Sequence, residues 1–260
     1  MSPSSSAPVS KRPPLLQARR GTELLSDGSY LFEDELAEGL LEAVVITCSA
    51  WLLELYELKS GAVEFVVDTK KTCPANNCFG VLYPPFSLTR VSLQNPRGHV
   101  VGIAASVELP PELLSSPVLF DTSFGYPGSA AAAIDLIRAG THRQSVEACP
   151  SASLLSRKAK RLIDENHLAY PAIARIAERV GVSHAHLSRQ FKKDFRMSPS
   201  EYLRRLRVAD APLRLARGED IINVSLDVGY NDLSRFYKQF RKTTNTSPGV
   251  CKTLLRPRRS

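Results

Sequence analysis

The stretch Ile173-Ala-Arg-Ile-Ala-Glu-Arg-Val-Gly-Val182 determines the expected fold of the C-terminal third of the chain, because a stretch of the same kind follows at Ile221-Ile-Asn-Val-Ser-Leu-Asp-Val-Gly-Tyr230. The glycines of the two stretches are 48 residues apart, and the Ser-Pro pairs that follow them, Ser198-Pro199 and Ser247-Pro248, are 49 apart. One residue has therefore been gained between the helices of the second copy. We call Ile173–Pro199 the first unit and Ile221–Pro248 the second unit.

Each unit predicts a short helix, a tight turn and a second helix. The apolar positions of the first helix follow the i, i+3, i+4, i+7 spacing of one buried face, namely Ile173, Ile176, Ala177 and Val180. Gly181 then stands where the helix should end, since glycine adopts the left-handed conformation without a Cβ clash. Ser183 can cap the next helix by accepting a backbone N–H, and Asn231 or Asp232 can do so in the second unit.

The second helix of each unit has an apolar inner face and a basic outer face. The inner positions are four residues apart, at Leu187 and Phe191 and at Phe236 and Phe240. The outer face carries Arg189, Lys192 and Lys193 in the first unit, and Lys238, Arg241 and Lys242 in the second. A short helix, a glycine turn and a basic second helix form the unit that enters a DNA major groove.

The ordered spacing of these motifs over roughly residues 152–254 resembles the DNA-binding domain of the AraC/XylS family of bacterial transcription regulators. The residues that carry the resemblance are Val180-Gly181-Val182-Ser183, Leu187–Lys193, Ser198-Pro199, Tyr202-Leu203, Asp227–Tyr230, Phe236, Phe240–Lys242 and Ser247-Pro248. The resemblance implies a sequence-specific regulator of transcription that binds double-stranded promoter DNA. It also favours an activator that contacts RNA polymerase, although the residues themselves do not distinguish activator from repressor.

The resemblance also implies which side chains meet DNA. Base contacts are expected from Ala185, Ser188 and Arg189 in the first unit, and from Leu233, Ser234 and Lys238 in the second. Phosphate contacts are expected from His184, His186, Lys192, Lys193, Arg241 and Lys242. Arg189 is the strongest candidate, because its planar guanidinium can pair with guanine O6 and N7. The first unit is therefore expected to provide most of the sequence specificity.

The chain departs from the family pattern at several positions. The glycine usual before each Ser-Pro pair is replaced around Arg196-Met197 and Asn245-Thr246, and Cys251-Lys252 stands where an aromatic residue and arginine are usual. Pro212 lies inside Glu201–Arg217, which otherwise reads as the long helix that joins the units. Since proline removes a backbone donor and collides with the preceding turn, we expect a kink or break near Val208–Pro212.

Charge divides the chain into two parts. Residues 151–260 hold 23 Lys and Arg against 10 Asp and Glu, whereas residues 1–150 hold 11 against 16, so the net charges are +13 and −5. A basic part joined to an acidic one indicates that only the basic part meets a polyanion. We expect four segments: a disordered Ser- and Pro-rich lead-in at 1–20, a β-rich domain at 21–127, a helical linker at 128–150 and the DNA-binding domain at 151–260.

The middle of the chain predicts short strands separated by Gly, Pro and Asn. The runs are Ala43–Thr47, Trp51–Leu58, Ala62–Asp68, Phe79–Tyr83, Leu88–Leu93 and Val100–Ala104. Helices are expected at Ser129–Ile137 and Ala152–Glu165. The predicted class is α+β, with a β-rich, barrel-like N-terminal domain before an all-α domain with two helix-turn-helix units. By analogy with regulators of this arrangement, the β-rich domain senses a small molecule or forms a homodimer.

Other classes of function find less support in the residues. Cys73 and Cys78 are a candidate redox pair or half of a metal site, but no second Cys or His pair has ligand-like spacing, so no metal or cofactor is expected. His184 and His186 point to different faces of a helix and cannot share one ion easily. No catalytic motif indicates an enzyme. The chain lacks a membrane-length apolar segment, and we expect a cytoplasmic protein that associates with the nucleoid when bound to DNA.

Three alternatives remain open. One is a bifunctional repair and regulatory protein with a zinc–cysteine N-terminal domain, which would need four ligand cysteines where only Cys48, Cys73 and Cys78 precede Cys149. Another is a constitutive DNA-binding protein without a ligand. The third is a metabolite-binding or enzyme-like N-terminal domain that acts independently of DNA.

Overall fold

The computed structural model describes residues 10–11, 23–36, 40–67, 70–146, 151–169, 172–244 and 246–254. Apart from 10–11, the predicted lead-in at 1–20 lies outside the described residues. The observed order is a β-rich region followed by seven helices among the described residues of the C-terminal part. This order confirms the predicted α+β class and the two-part arrangement.

The β-rich region is built on one ten-stranded sheet of the described chain. Its strands are β1 Ser10–Lys11, β2 Glu23–Leu24, β3 Tyr30–Leu36, β4 Leu40–Ile46, β5 Trp51–Val67, β6 Lys70–Thr72, β7 Cys78–Tyr83, β8 Leu88–Ala105, β9 Val118–Asp121 and β10 Thr141–Ser145. The main path runs β1-β4-β8-β5-β7-β9-β10, while β2 joins β3, β3 joins β8, and β6 joins β5. Only β1 and β4 pair in parallel among the described strands.

Two long strands correct the predicted strand pattern. The runs predicted at Trp51–Leu58 and Ala62–Asp68 fall in β5 as far as Val67, with Asp68 outside the described residues, and those at Leu88–Leu93 and Val100–Ala104 are parts of β8. The Gly-containing segments between them are bulges, where the register of the β5–β8 pair shifts. Gly61 and Gly98 both have positive φ, and a Cβ at either would collide with the backbone of the facing strand. Glycine therefore bends each strand without ending it.

The segment predicted as a helical linker, residues 128–150, belongs in part to the sheet. It begins as α1 Ala130–Ala139, and Ser129 caps the helix by accepting from the backbone N–H of Ala132 at 3.1 Å. The chain then forms β10, which pairs antiparallel with β9. The prediction of a purely helical linker is wrong, because residues after Gly140 complete a sheet edge. Residues 147–150 lie outside the described chain.

The C-terminal helices are α2 Leu154–Asn166, α3 Ile173–Arg179, α4 His184–Phe195, α5 Pro199–Ala216, α6 Ile221–Asp227, α7 Leu233–Thr244 and α8 Pro248–Leu254. Of the kink or break expected near Val208–Pro212, the break is wrong, since α5 continues through Pro212 as one 18-residue helix. The kink stays a prediction. Pro212 is buried and lines, with Trp51 and Leu52, a cavity of about 30 Å³ between α5 and the sheet. This burial places the proline ring in an apolar contact while α5 continues to Ala216.

Apolar packing joins the sheet to the helices. One buried cluster contains Ala159, Ile163 and Phe191 of the helical region together with Ile46 and Leu88 of the sheet. The same packing fixes the outer side of the helices, because their apolar faces are directed inward. Among the described residues, no helix combines the length and apolar character that a bilayer crossing requires.

Candidate nucleic-acid interface

The first unit is a helix-turn-helix with a buried inner face. Its helix α3 buries Ile173, Ile176 and Ala177, and the turn follows at Gly181, whose φ is 78°. Ser183 caps α4 by accepting from the backbone N–H of His186 at 3.2 Å. The turn and the cap are those that the sequence predicted, because both depend on local backbone chemistry.

Aromatic packing determines which face of α4 is exposed. Leu187, Phe191 and Phe195 are buried, and the ring of Phe191 lies 4.6 Å from that of Phe195 and 5.9 Å from that of Tyr202, measured between centroids. The opposite face therefore points to solvent. It exposes His184, Ala185, His186, Arg189, Lys192 and Lys193, while Ser188 is half-buried.

The second unit repeats this frame with different caps. Asp220 caps α6, accepting from the backbone N–H of Ile222 at 2.8 Å, and the turn follows at Gly229 with a φ of 89°. Asp232 caps α7, accepting from the backbone N–H groups of Ser234 at 2.8 Å and Arg235 at 3.2 Å. Of the two predicted caps, Asp232 is therefore the one observed.

The outer face of α7 carries the predicted residues and two further ones. Phe236, Phe240 and Thr244 are buried, and the exposed set includes Leu233, Ser234, Lys238, Arg241 and Lys242. Since α4 begins at His184 and α7 at Leu233, the 49-residue offset aligns Tyr237 with Ser188 and Arg235 with His186. Tyr237 is 37% exposed. Both residues were missed from sequence, although the offset that aligned Leu187 with Phe236 would have identified them.

A hydrogen-bond network ties α4 to the start of α2. Asp194 accepts from the backbone N–H of Ser153 at 3.2 Å and from its hydroxyl at 2.6 Å, and Gln190 donates to the same carboxylate at 3.1 Å. Burial alone would raise the pKa of Asp194, but these hydrogen bonds outweigh it and lower the pKa. The ionised carboxylate of Asp194 therefore holds α4, the second helix of the first unit, against the start of α2.

The turn after α4 contains one of the departures from the family pattern. Arg196 ends α4 in the left-handed conformation, with φ 57° and ψ 17°, where a glycine is usual. A non-glycine residue there is strained by its Cβ. The second such position, Asn245, lies outside the described residues.

Hydrogen bonds connect the β-rich region to the helical region at several points. Arg90 donates to the carbonyl of Phe195 at 2.7 Å, and Lys160 donates to the carbonyl of Phe86 at 2.7 Å. Further bonds join Cys48 to His167, Ser49 to Asp210, and Arg217 to the carbonyl of Gly28. Near the first two bonds, Pro84, Pro85, Phe86 and Lys160 line a cleft of about 170 Å³. The sheet therefore contacts α2, α4 and α5 directly.

The cysteines lie in different environments. Cys73 is exposed and Cys78 is half-buried, both as free thiols, whereas Cys149 lies outside the described residues. Burial raises the pKa of Cys251 to about 12, and burial together with nearby Asp210 raises that of Cys48. Across the described residues, three or more His, Cys, Asp or Glu side chains do not gather into a metal-binding group.

The duplicated frame agrees with comparisons to known proteins. Residues 176–253 match the family model described as a helix-turn-helix domain. The chain contains an AraC-type helix-turn-helix domain. This AraC-type domain spans α3 to α8 from Ile176 onward and thus includes both recognition helices. The resemblance inferred from the paired motifs is confirmed.

Two curated relatives match the AraC-type domain. The HTH-type transcriptional activator RhaS of Pectobacterium carotovorum subsp. carotovorum (strain PC1) is 35% identical over 74 residues, which are 28% of this chain and 26% of the relative. The lactose operon transcription activator of Staphylococcus xylosus is 33% identical over 81 residues, 31% of this chain and 29% of the relative. The match therefore spans between a quarter and a third of the length of these relatives.

A solved structure resembles the chain over a greater length. ToxT from Vibrio cholerae covers 87% of this chain and 98% of its own, with a TM-score of 0.51 and 12% sequence identity. This likeness shows the fold: a β-rich region precedes the AraC-type domain in one chain.

Proposed function

We propose that this protein is a sequence-specific transcription regulator that binds promoter DNA with the two units of its AraC-type domain. The observation that carries the proposal is the pair of exposed basic faces on α4 and α7, each presented by a buried aromatic frame. Two helices of this kind fit successive major-groove segments about 34 Å apart. The net charge of +13 over residues 151–260 adds a sequence-independent attraction for phosphate.

We assign different tasks to the residues of the outer faces. Arg189 pairs with a guanine, while Ala185 and Ser188 contact neighbouring bases; Ser234, Tyr237 and Lys238 occupy the aligned positions of α7. Leu233, at the start of α7, also contacts a base, while His184, His186 and Arg235 bind phosphates. The DNA phosphates further along each helix are bound by Lys192, Lys193, Arg241 and Lys242.

We assign a regulatory role to the β-rich region, as a sensor of a small molecule or as a dimerisation domain. Its hydrogen bonds to α2, α4 and α5 support this role. A change of conformation in the β-rich region would alter these bonds and so shift α4 and the helices packed against it. The names of the two curated relatives favour activation, which would require contact with RNA polymerase. A constitutive DNA-binding protein would bind equally with and without any effector.

The test begins with selection of bound sequences from a random DNA pool by the full chain. Arg189→Ala should then lose about 1–3 kcal/mol of discrimination at one base pair, because the bidentate contact is removed. Lys192→Ala should weaken binding to all sequences. It should also reduce the slope of the logarithm of the binding constant against the logarithm of the salt concentration by about 1. Binding is measured by titration at several salt concentrations.

Arg138→Ala provides the matched control, since Arg138 is an exposed arginine of α1 paired with Glu112 at 3.4 Å. It should bind DNA as the unmodified chain does. Equal losses on selected and random DNA for Arg189→Ala and Lys192→Ala would refute the base contact of Arg189. Failure of the unmodified chain to enrich any sequence would refute the proposed function.

A further inference from the structure

Arg207 is a buried arginine in the middle of α5, the helix between the two units. It is 7% exposed, although arginine is among the residues least often buried without partners. It lies on the inner side of α5, unlike Arg204, which is exposed, and Arg205, which pairs with Glu201 at 2.7 Å. A cation in this position requires hydrogen-bond acceptors around it.

The guanidinium of Arg207 bonds both to the end of α2, the helix that supports the first unit, and to the turn of the second unit. Its Nε donates to the carbonyl of His167 at 2.7 Å, and its Nη1 donates to the carbonyl of Gly229 at 3.4 Å. His167 is the C-cap of α2, the helix that supports the first unit, while Gly229 forms the turn of the second unit. Arg207 therefore bridges two backbone points 62 residues apart in sequence.

Close packing strengthens the contact with the second unit. A Cβ at Gly229 would lie 3.0 Å from Nε of Arg207 and 3.1 Å from its Cζ, so the turn lies directly on the guanidinium. The hydroxyl of Tyr230 also donates to the carbonyl of Arg204 at 3.5 Å. The turn before α7 is thus positioned against α5 by the side chain of Arg207 as well as by the aromatic core.

The other end of the bridge is connected to the β-rich region. His167 Nδ1 lies 2.7 Å from the carbonyl of Asp164, an acceptor only, so Nδ1 carries the proton. Its Nε2 then accepts from the thiol of Cys48 at 3.3 Å. The ring of Phe86 packs against the same imidazole at 5.7 Å between centroids. His167 is therefore held by the sheet on one side and by Arg207 on the other.

We infer that Arg207 is a positioning residue that sets the relative orientation of the two recognition helices and thereby the preferred spacing of the two DNA elements. The inference rests on the proposed function. Arg207 acts through the backbone at the end of α2, which supports the first unit, and at the turn of the second unit, and it does not contact DNA. Because a guanidinium offers several donors in a fixed plane, it holds both carbonyls at defined angles.

The experiment measures the spacing preference of the full chain. The selected site is prepared with the native separation of its two elements and with one or two base pairs inserted or removed, and a further probe holds the first element alone. Each inserted base pair rotates the second element by about 34–36° and shifts it by about 3.4 Å. The unmodified chain should lose at least about tenfold in affinity at a two-base-pair change, as expected for rigidly linked heads.

Two variants of Arg207 separate positioning from folding. Arg207→Met removes the donors with little change in length, and Arg207→Lys keeps the charge but has one nitrogen in place of the fork. We expect Arg207→Met to bind the native site at least about tenfold more weakly while binding to the first element alone stays within about twofold, so that the spacing profile flattens. Arg207→Lys should fold as the unmodified chain does and show an intermediate profile. Arg205→Met is the control on the same helix and should keep the full spacing preference.

The outcomes are distinguishable. A flattened profile for Arg207→Met, or for Arg207→Lys where Arg207→Met does not fold, supports the inference. An unchanged spacing optimum with a uniform loss of affinity on every probe, including the single element, would overturn it and leave the proposed function intact. An unmodified chain that selects no DNA sequence would overturn both.

Discussion

The first and second units share a frame but differ in what the frame presents. Both have a glycine turn with φ near +80° to +90°, a capped recognition helix and a pair of buried side chains four residues apart. The outer faces differ at the three aligned positions Ala185, Ser188 and Arg189, which correspond to Ser234, Tyr237 and Lys238, whereas Lys193 and Lys242 are the same residue. The two units therefore share an apolar inner face and basic residues late in the second helix, while three outward positions of that helix differ.

The surroundings of the two units differ as well. The first unit meets the sheet through Phe195, whose carbonyl accepts from Arg90, and through α2. The second unit is fixed at its turn by Arg207, and Arg214 pairs with Glu219 and Asp227 around α6. These ion pairs raise the pKa of Arg214, so the guanidinium stays charged. The two units thus differ in their polar contacts: a strand residue bonds to the first unit, and arginines of α5 bond to the second.

The largest expected effect on stability comes from removing one buried aromatic ring from each unit, which tests whether the two units are packed in the same way. Phe191→Ala and Phe240→Ala should each lower the free energy of unfolding by about 3–5 kcal/mol, because both rings are fully buried and would leave a cavity. Denaturant unfolding of the full chain measures the two losses. A loss below about 1 kcal/mol in only one variant would show that the second frame is not equivalent to the first.

The two glycine turns provide a sharper comparison with a smaller effect. Gly181→Ala should cost about 1–2 kcal/mol, because the turn requires positive φ while the space around the added Cβ is open. Gly229→Ala should cost at least about 1 kcal/mol more, since its Cβ would press on Arg207. Thermal unfolding of both variants checks the order. Equal costs would contradict the packing of the second turn on α5.

The smallest expected effects concern the aligned pair Ser188 and Tyr237. Tyr237→Ser gives the second unit the side chain that the first unit has at this position. It should weaken binding to the second DNA element about two- to twelvefold, which corresponds to the loss of one hydrogen bond. Binding to a probe with the first element alone should not change. The affinities of Tyr237→Ser and of the unmodified chain for the two DNA probes are measured by titration and compared. An equal loss on the single-element probe would indicate a change in overall fold and contradict a local role for Tyr237.

The helices of the two units were predictable because each depends on local patterns. Ile173, Ile176 and Ala177 are buried as their spacing indicated, and Ser183 caps α4 as expected. The positions presented to solvent followed from the same periodicity. Their contacts with DNA remain predictions.

The strands were predicted less well, because a glycine in a strand pattern is compatible either with a turn that ends the strand or with a bulge inside it. Gly61 and Gly98 mark breaks in the local pattern, but both adopt positive φ within paired strands. Only the facing strand decides between the two outcomes, since the bulges of β5 and β8 lie opposite each other. That pairing is not encoded in any short window of sequence.

Long-range contacts were not predictable from the residues near them. Cys48 and His167 are 119 residues apart in sequence, and the residues next to Arg207 carry no signal of its burial. Pro212 was misjudged for a related reason. Its cost within a helix is a local quantity, whereas its burial against the sheet depends on tertiary packing.

The continuity of α5 limits how this domain can change over evolution. Its 18 residues span about 27 Å, and each inserted residue would turn the second unit by about 100° and advance it by about 1.5 Å. One added base pair turns the DNA by only about 34–36°. The rotation caused by adding one residue to α5 therefore cannot be matched by adding one base pair between the two DNA elements. A change in the length of α5 would therefore misalign the two units on a given DNA site, whereas a substitution on the outer face of α4 or α7 would leave their separation unchanged.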